Sequence, residues 1–230
     1  TRESKILPMG VQPKTLLPTY RLFDDSRYFF SLHDTALDAC IPLKELVQPF
    51  LIKLGGKKTP IGFELCEDLW CRDYRLCGES INITKLLIEN GAKYICNLSA
   101  SPWTYGKNAS RDRKFLFLKS ESQEKFVPCF YVNCVGVQNN GKNIVPFDGG
   151  STVYNKDGLP IIFSKEPPYE EELIIVNESD LRKTPIQRKE KPRIEQKYRT
   201  IIAGIKGFTD QIGSEKQPLF IVGLSGGIDS

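Results

Sequence analysis

The stretch "TPIGFELCEDLW", residues 59–70, sets an apolar strand directly against a cysteine and two carboxylates. Residues 59–65 have a strand's composition, and "CEDLW" follows without an intervening glycine or proline. Cys66 at such a strand-to-turn junction has two readings. It is either a buried structural thiol, or a nucleophile whose sulfur faces the amides of the following turn. Amides so placed lower a thiol pKa and form half of an oxyanion hole, so a nucleophilic Cys66 is expected to have a depressed pKa. Glu67 and Asp68 would oppose thiolate formation if close, so they are expected to point away or to bind substrate.

Outward from this stretch, "SINITKLLIENGA" (80–92) places Ile83, Leu86 and Leu87 on one helical face, with Ser80 as N-cap and Gly91 just past the end. "KYICNLS" (93–99) and "CFYVNCVG" (129–136) read as strands, and "SRDRKFLFLKSESQEKF" between them as a helix. "GSTVYNKDGLPIIF" (150–163) is a hairpin turning at 155–158, and "EEELIIV" (170–176) a last strand. The alternation implies a layered α/β domain.

Past residue 177 the composition changes. Positions 182–199 carry eight Lys or Arg against two Glu, so the net charge of +4 is local to this stretch. No aromatic residue is interleaved before Tyr198, which favours a solvated linker over a nucleic-acid surface. "RIEQKYRTIIAGIKGFTDQI" (193–212) then puts Ile194, Tyr198, Ile201, Ile205, Phe208 and Ile212 at alternating spacings of four and three, an amphipathic helix preceded by Pro192. "PLFIVGLS" (218–225) reads as a buried strand. A helix, a strand and a loop cannot bury a core alone, so 193–230 is expected to open a second domain that continues beyond it.

Composition excludes several classes. Of the 230 residues 40% are hydrophobic and 26% charged, and no apolar run is long enough to span a membrane. The start, "TRESKILPMG", has neither an initiator Met nor an apolar signal region and reads as the inside of a longer chain. Seven cysteines at irregular spacing suggest a reducing, cytoplasmic setting. The single histidine, His33, lies in "SLHDTAL" with no motif around it and reads as a surface or helix-cap residue. That removes Ser–His–Asp and Cys–His catalysis and the commoner zinc sites. Cys66, Cys71 and Cys77 do not match a ferredoxin spacing.

The chain closes on "FIVGLSGGIDS" (220–230), an apolar run meeting a small-residue loop. Glycines let successive N–H groups turn inward on an anion at the start of a helix. Lysine is absent, so the Walker pattern does not apply. Instead S-G-G-x-D-S after an apolar run resembles the PP-loop of the ATP pyrophosphatases, which activate a substrate oxygen as its adenylate.

"CEDLW", "NLSASPWTYGK", "YVNCVG", "FDGGS" and "KTLLPTYRLFDDSRYF", taken with "GLSGGIDS", resemble the glutamine-dependent NAD synthetases over nearly the whole chain. That family joins a nitrilase-like glutaminase to a PP-loop synthetase. The resemblance implies an N-terminally incomplete α-β-β-α sandwich over 1–180, a basic linker over 181–192, and over 193–230 the first elements of an adenine-nucleotide α-hydrolase-like parallel α/β domain. It implies a Glu–Lys–Cys triad with Cys66 as nucleophile and Lys14 as the lysine, its ammonium stabilising the oxyanion together with the Glu67 N–H. The triad glutamate falls in a segment preceding Lys14, and Glu64 and Glu67 do not match its position. Tyr20, Ser101 and Lys107, with Glu67, fall where the family binds glutamine. Asp25 stands where the family usually has glutamate, and "QNNGKNIVPFDGG" departs from the compact form of its loop.

The same resemblance assigns the ATP phosphates to Gly223, Leu224, Ser225, Gly226, Gly227, Ile228, Asp229 and Ser230, with Asp229 a Mg2+ ligand. Ammonia from glutamine would attack the adenylated carboxylate of deamido-NAD, giving NAD, AMP and pyrophosphate. The expected partners are glutamine, deamido-NAD, ATP and further copies of the chain, with no nucleic acid and no membrane. A stand-alone nitrilase-class amidase and a non-catalytic assembly module are the alternatives. These 230 residues alone are expected neither to hydrolyse glutamine nor to make NAD.

Overall fold

The structure is a computed structural model and describes residues 10–74, 80–165, 168–212 and 221–228. Its centre is a six-stranded mixed sheet. β1 (Phe50–Leu54) and β2 (Lys57–Leu65) form a hairpin; β2, β3 (Tyr94–Ser99) and β4 (Cys129–Asn133) run parallel; β7 (Thr152–Tyr154) and β8 (Pro160–Phe163) extend the sheet antiparallel in the order β1-β2-β3-β4-β7-β8. β5 (Val135–Asn139) and β6 (Ile144–Asp148) make a separate ribbon. Two short helices, α1 (Leu32–Asp38) and α2 (Leu43–Leu46), precede the sheet. The parallel strands are joined by α3 (Ile83–Glu89) and α4 (Lys107–Ser122), and α5 (Arg193–Ile212) follows it.

Strand periodicity divides the sheet into two faces. On one, α3 and α4 cover Ile95, Cys129, Tyr131 and Tyr154, and with Leu87, Phe115 and Leu118 these side chains build the core. The Phe115 ring stacks on Tyr154 at 3.8 Å. Gly62 allows α3 to approach β2: a Cβ there would lie 2.7 Å from Ile95 Cδ1 and 3.0 Å from Leu87 Cδ1. The other face is apolar and partly open. Phe63, Cys96 and Phe130 are half-buried, and Leu98 and Val132 are exposed. An apolar sheet face of this kind is what a second sheet covers in an α-β-β-α sandwich.

Several expectations need correction. The cap of α3 is Asn82, whose Oδ1 accepts from Lys85 N at 2.9 Å, whereas Ser80 donates to the Cys71 carbonyl. The strand expected over 129–136 breaks at Cys134 into β4 and β5, because Cys134 N donates to Ser99 O and the chain there leaves the sheet. No strand forms over 170–176, where Leu173 and Ile175 are exposed, nor over the described part of 218–225, where Ile221, Val222 and Leu224 are exposed. Both runs have a strand's composition but pair with no strand among the described residues. The expected hairpin at 155–158 is present, its turn closed by Asn155 Oδ1 accepting from Asp157 N and Leu159 N. His33 sits in the first turn of α1, which Ser31 caps.

The amphipathic helix α5 forms, but it packs on its glycine side. Gly207 lies so close to β5 that a Cβ would sit 2.4 Å from Val137 Cβ, and Gln211 Nε2 donates to Val137 O at 2.6 Å. Ile194, Tyr198, Ile201 and Ile205 therefore face outward; the Ile212 side chain lies outside the described residues. The basic segment before α5 is not fully solvated. Arg188 Nε lies 3.1 Å from Asp112 Oδ2 of α4, its Nη2 donates to Thr152 Oγ1 at 3.0 Å, and its guanidinium covers the Phe163 ring at 4.0 Å. No helix among the described residues is long and apolar enough to cross a membrane.

Candidate active site

β2 ends at Leu65, and Cys66 opens a 3-10 turn, Cys66–Asp73, with φ 44. A left-handed backbone at a non-glycine residue costs about 1–3 kcal/mol and must be held by its surroundings. Asp68 supplies part of that hold. Its Oδ2 accepts from Leu65 N at 3.0 Å, and its Oδ1 accepts from Thr15 N at 3.0 Å and Leu16 N at 2.8 Å, tying the turn to the segment that carries Lys14. Asp68 thus points away from the sulfur, as one of the two sequence expectations for this pair required.

The Cys66 thiol is half-buried, and its surroundings pull in both directions. Burial pushes its pKa up and is the largest influence; the Ser99 hydroxyl, the Lys14 ammonium and the Ala100 N–H pull it down, while Glu67 pushes it up. The net direction is upward, which corrects the expectation of a depressed pKa. Desolvation by burial outweighs Ser99, Lys14 and Ala100.

Lys14 Nζ lies 2.8 Å from Asp25 Oδ2. Glu67 is buried and accepts two phenol hydrogen bonds, from Tyr20 at 3.0 Å on Oε2 and from Tyr74 at 2.8 Å on Oε1. Burial and the Glu67 carboxylate both raise the Tyr20 and Tyr74 pKa values, so the two phenols stay protonated donors. Lys107, the first residue of α4, places Nζ 4.9 Å from the centre of the Trp70 ring. Its pKa is lowered by burial and by Arg111, against opposing attraction from Glu67 and Cys66, so it shares their electrostatic neighbourhood. Ser101 is buried beyond the end of β3, its N–H donating to Asn133 Oδ1 at 2.8 Å and its carbonyl accepting from Asn133 Nδ2 at 3.1 Å.

The structure therefore brings Cys66, Lys14, Glu67, Tyr20 and Lys107 into one site, with Ser101 at the end of the neighbouring strand. Sequence reasoning missed Tyr74, Trp70 and Ser99. Trp70 and Ser99 lie inside the quoted "CEDLW" and "NLSAS", but nothing in either stretch singles them out, and the Tyr74 contact with Glu67 depends on how the 3-10 turn folds back. Chemically, the site offers a nucleophile, an ammonium beside it, and two carboxylates with two phenols and a second ammonium at its edge.

The terminal loop is less formed. Residues 221–228 are exposed coil, with Gly226 at φ 78 and Gly227 N donating to Ser225 Oγ at 3.4 Å. Asp229 and Ser230 lie outside the described residues, as does Cys77. No cluster of His, Cys, Asp and Glu suited to a metal ion occurs among the described residues.

No family model matches the chain. It is 32% identical over 225 residues to a glutamine-dependent NAD(+) synthetase of Synechocystis sp., a match that covers 94% of this chain and 35% of that protein. A glutamine-dependent NAD(+) synthetase of Thermotoga maritima is 29% identical over 257 residues, covering 96% and 38%. Among solved structures, a glutamine-dependent NAD+ synthetase from Acinetobacter baumannii in complex with adenosine diphosphate superposes with a TM-score of 0.63 at 24% identity, over 89% of this chain and 33% of that one. The chain thus shares its fold with a part of that enzyme, and it spans about a third of the length of the curated relatives it matches.

Proposed function

We propose that this chain carries the glutamine-hydrolysing centre of a glutamine-dependent NAD synthetase. One observation carries the reading: a cysteine in left-handed backbone at a strand end has Lys14, the Ser99 hydroxyl and the Ala100 N–H acting on its sulfur. The likeness to synthetases over 94% of the chain supports it.

In this reading Cys66 attacks the side-chain amide carbon of glutamine. The oxyanion is held by the Lys14 ammonium, which Asp25 orients, and by the Glu67 N–H. Collapse expels ammonia and leaves a thioester, which water cleaves to glutamate and free Cys66. The proton acceptor implied by the resemblance is a glutamate preceding Lys14; no described residue takes that role. The α-amino and carboxylate groups of glutamine meet Glu67, Tyr20, Ser101 and Lys107, a set of one carboxylate, two hydroxyls and one cation suited to a zwitterion. A bound amide brings the Lys14 ammonium and the oxyanion donors to act on the reacting centre together.

The remaining assignments stand on the resemblance. Residues 1–180 form the glutaminase domain, 181–192 the linker and 193–230 the opening of the synthetase domain. There Gly223 to Ser230 hold ATP and the ammonia converts adenylated deamido-NAD to NAD. Asp229 would hold Mg2+, and no step above runs through it. The assembly is a cytoplasmic homo-oligomer.

The test uses the protein as its gene encodes it. Cys66→Ala is expected to abolish NAD synthesis from glutamine and to leave synthesis from free ammonia intact. Parallel loss of both activities with the fold preserved would overturn the division of roles. Hydrolysis of simple amides with no NAD synthesis from either nitrogen source would indicate a nitrilase-class amidase instead.

A further inference from the structure

Glu64 lies two residues before Cys66 on β2 and is fully buried on the helix-covered face of the sheet. A charged side chain in such a place is costly unless its lone pairs are satisfied. Both of its oxygens are engaged: Thr84 Oγ1 of α3 donates to Oε2 at 2.8 Å, and Asn97 Nδ2 of β3 donates to Oε1 at 3.2 Å. Asn97 is the registered neighbour of Glu64 across the parallel pair β2–β3.

The Asn97 amide has one donor end and one acceptor end, and an acceptor-only carboxylate beside it determines which way it faces. With Nδ2 turned toward Glu64, the same nitrogen reaches the Cys66 carbonyl at 3.4 Å, and Oδ1 accepts from Ser99 Oγ at 2.6 Å. That bond uses the one Ser99 hydroxyl proton, so the hydroxyl is held by Asn97. A line of hydrogen bonds thus runs from Thr84 through Glu64 and Asn97 to the carbonyl of the strained Cys66 itself, with a side branch to Ser99.

We propose that Glu64 is a positioning residue for the nucleophile: by fixing the Asn97 amide it braces the left-handed Cys66 backbone from which the sulfur projects. Only the naming of Cys66 as nucleophile rests on the glutaminase reading.

Burial pushes the Glu64 carboxyl up to about 7, the Asp68 carboxylate in the turn adds to this, and Lys114 of α4 with the Thr84 and Asn97 hydrogen bonds oppose it. The Glu64 charge also acts on the thiols of Cys71 in the turn and Cys129 on β4, and on Cys96 from the opposite face of the sheet; burial pushes Cys71 and Cys96 up to about 11 and Cys129 well above its ordinary value, so all three stay neutral around pH 7. Ionisation of Glu64 near pH 7 should therefore be felt at Cys66 as a change in reactivity.

The test measures the rate of Cys66 carboxamidomethylation by iodoacetamide against pH on the full chain, with peptide mapping, alongside kcat and KM for ammonia release from glutamine. Glu64→Gln removes the acceptor-only carboxylate, so the orientation of the Asn97 amide is no longer dictated. It is expected to remove an inflection near pH 7 in the alkylation profile, to change the alkylation rate above that pH about fivefold, and to lower kcat about tenfold with little change in KM. In an Asn97→Leu background the Glu64→Gln effect on alkylation should vanish, because the link is already cut. Thr84→Val keeps the shape of the core and removes one donor to the carboxylate; it should move the inflection to higher pH, and it serves where Glu64→Gln does not fold. An alkylation profile indifferent to Glu64→Gln and Thr84→Val, or a Glu64→Gln effect undiminished in the Asn97→Leu background, would overturn the proposal. Failure to hydrolyse glutamine with an alkylation profile that still depends on Glu64 would defeat the glutaminase reading and leave the positioning role standing.

Discussion

The Lys14 ammonium and the Asp25 carboxylate are 2.8 Å apart, each about a quarter exposed, in a segment without regular strands that passes over the Cys66 turn. The pair holds one position of a flexible side chain whose charge already acts on the Cys66 sulfur. Asp25→Asn keeps the size of the partner and removes its charge. It is expected to lower kcat for glutamine by about tenfold to a hundredfold, whereas Asp25→Glu should retain most activity. Steady-state ammonia release by the two variants checks the expectation.

Among the thiols at or near the site, Cys66 should react fastest with iodoacetamide at neutral pH. Burial raises Cys71 and Cys96 to about 11, while Cys66 has Lys14, Ser99 and Ala100 drawing it downward. Glutamine should slow labelling of Cys66 and leave exposed Cys40 unaffected. Peptide mapping that finds Cys71 labelled first, with no protection by glutamine, would contradict the nucleophile assignment.

Glu64 and Asp68 give the fold a pH dependence of definite sign. Burial raises their carboxyls to about 7 and about 6, so the folded chain binds these protons more tightly than the unfolded chain. Stability from this source is complete below the ordinary carboxyl range and is lost as pH rises toward 7. Thermal unfolding midpoints should fall over that window, and Glu64→Gln should flatten the fall. A midpoint that rises across it in the native protein and is unchanged in the variant would show that other groups dominate.

Gly207 and Gly204 of α5 differ in what they can tolerate. A Cβ at Gly207 would overlap Val137, whereas one at Gly204 would sit 3.8 Å from Ile144 Cγ2, an ordinary contact. Gly207→Ala should cost about 1–3 kcal/mol by overpacking and speed proteolysis of the segment before α5. Gly204→Ala should do neither. Limited proteolysis of the two variants side by side distinguishes them.

Much of this was legible before any coordinates. The run from 59 to 70 showed both the central strand and the cysteine at its end, because β-composition breaking directly into polar residues marks a strand edge. Lys14, Tyr20 and Lys107 were legible only through the family resemblance, since a single lysine or tyrosine carries no local signature. Glu64 was visible only as a residue flanking the nucleophile, because its part depends on which residue stands opposite it in β3. The strand misread at 170–176 fails for the same reason: pairing is a property of neighbours, and Leu173 is left exposed. The direction of the Cys66 pKa was misjudged because the sequence shows which donors are near but not how much water they displace.

Arg188 grips Asp112, and Asp112 is on the same helix as Lys107, five residues on from the end that lies near Cys66 and Glu67. Tyr154 also donates to Asp112 at 2.7 Å, which leaves that carboxylate little freedom to follow Arg188 without dragging α4 with it. A rod clamped in this way works as a lever. A shift of the chain leading into α5 would therefore be carried along α4 toward its first residue, Lys107, above the Trp70 ring.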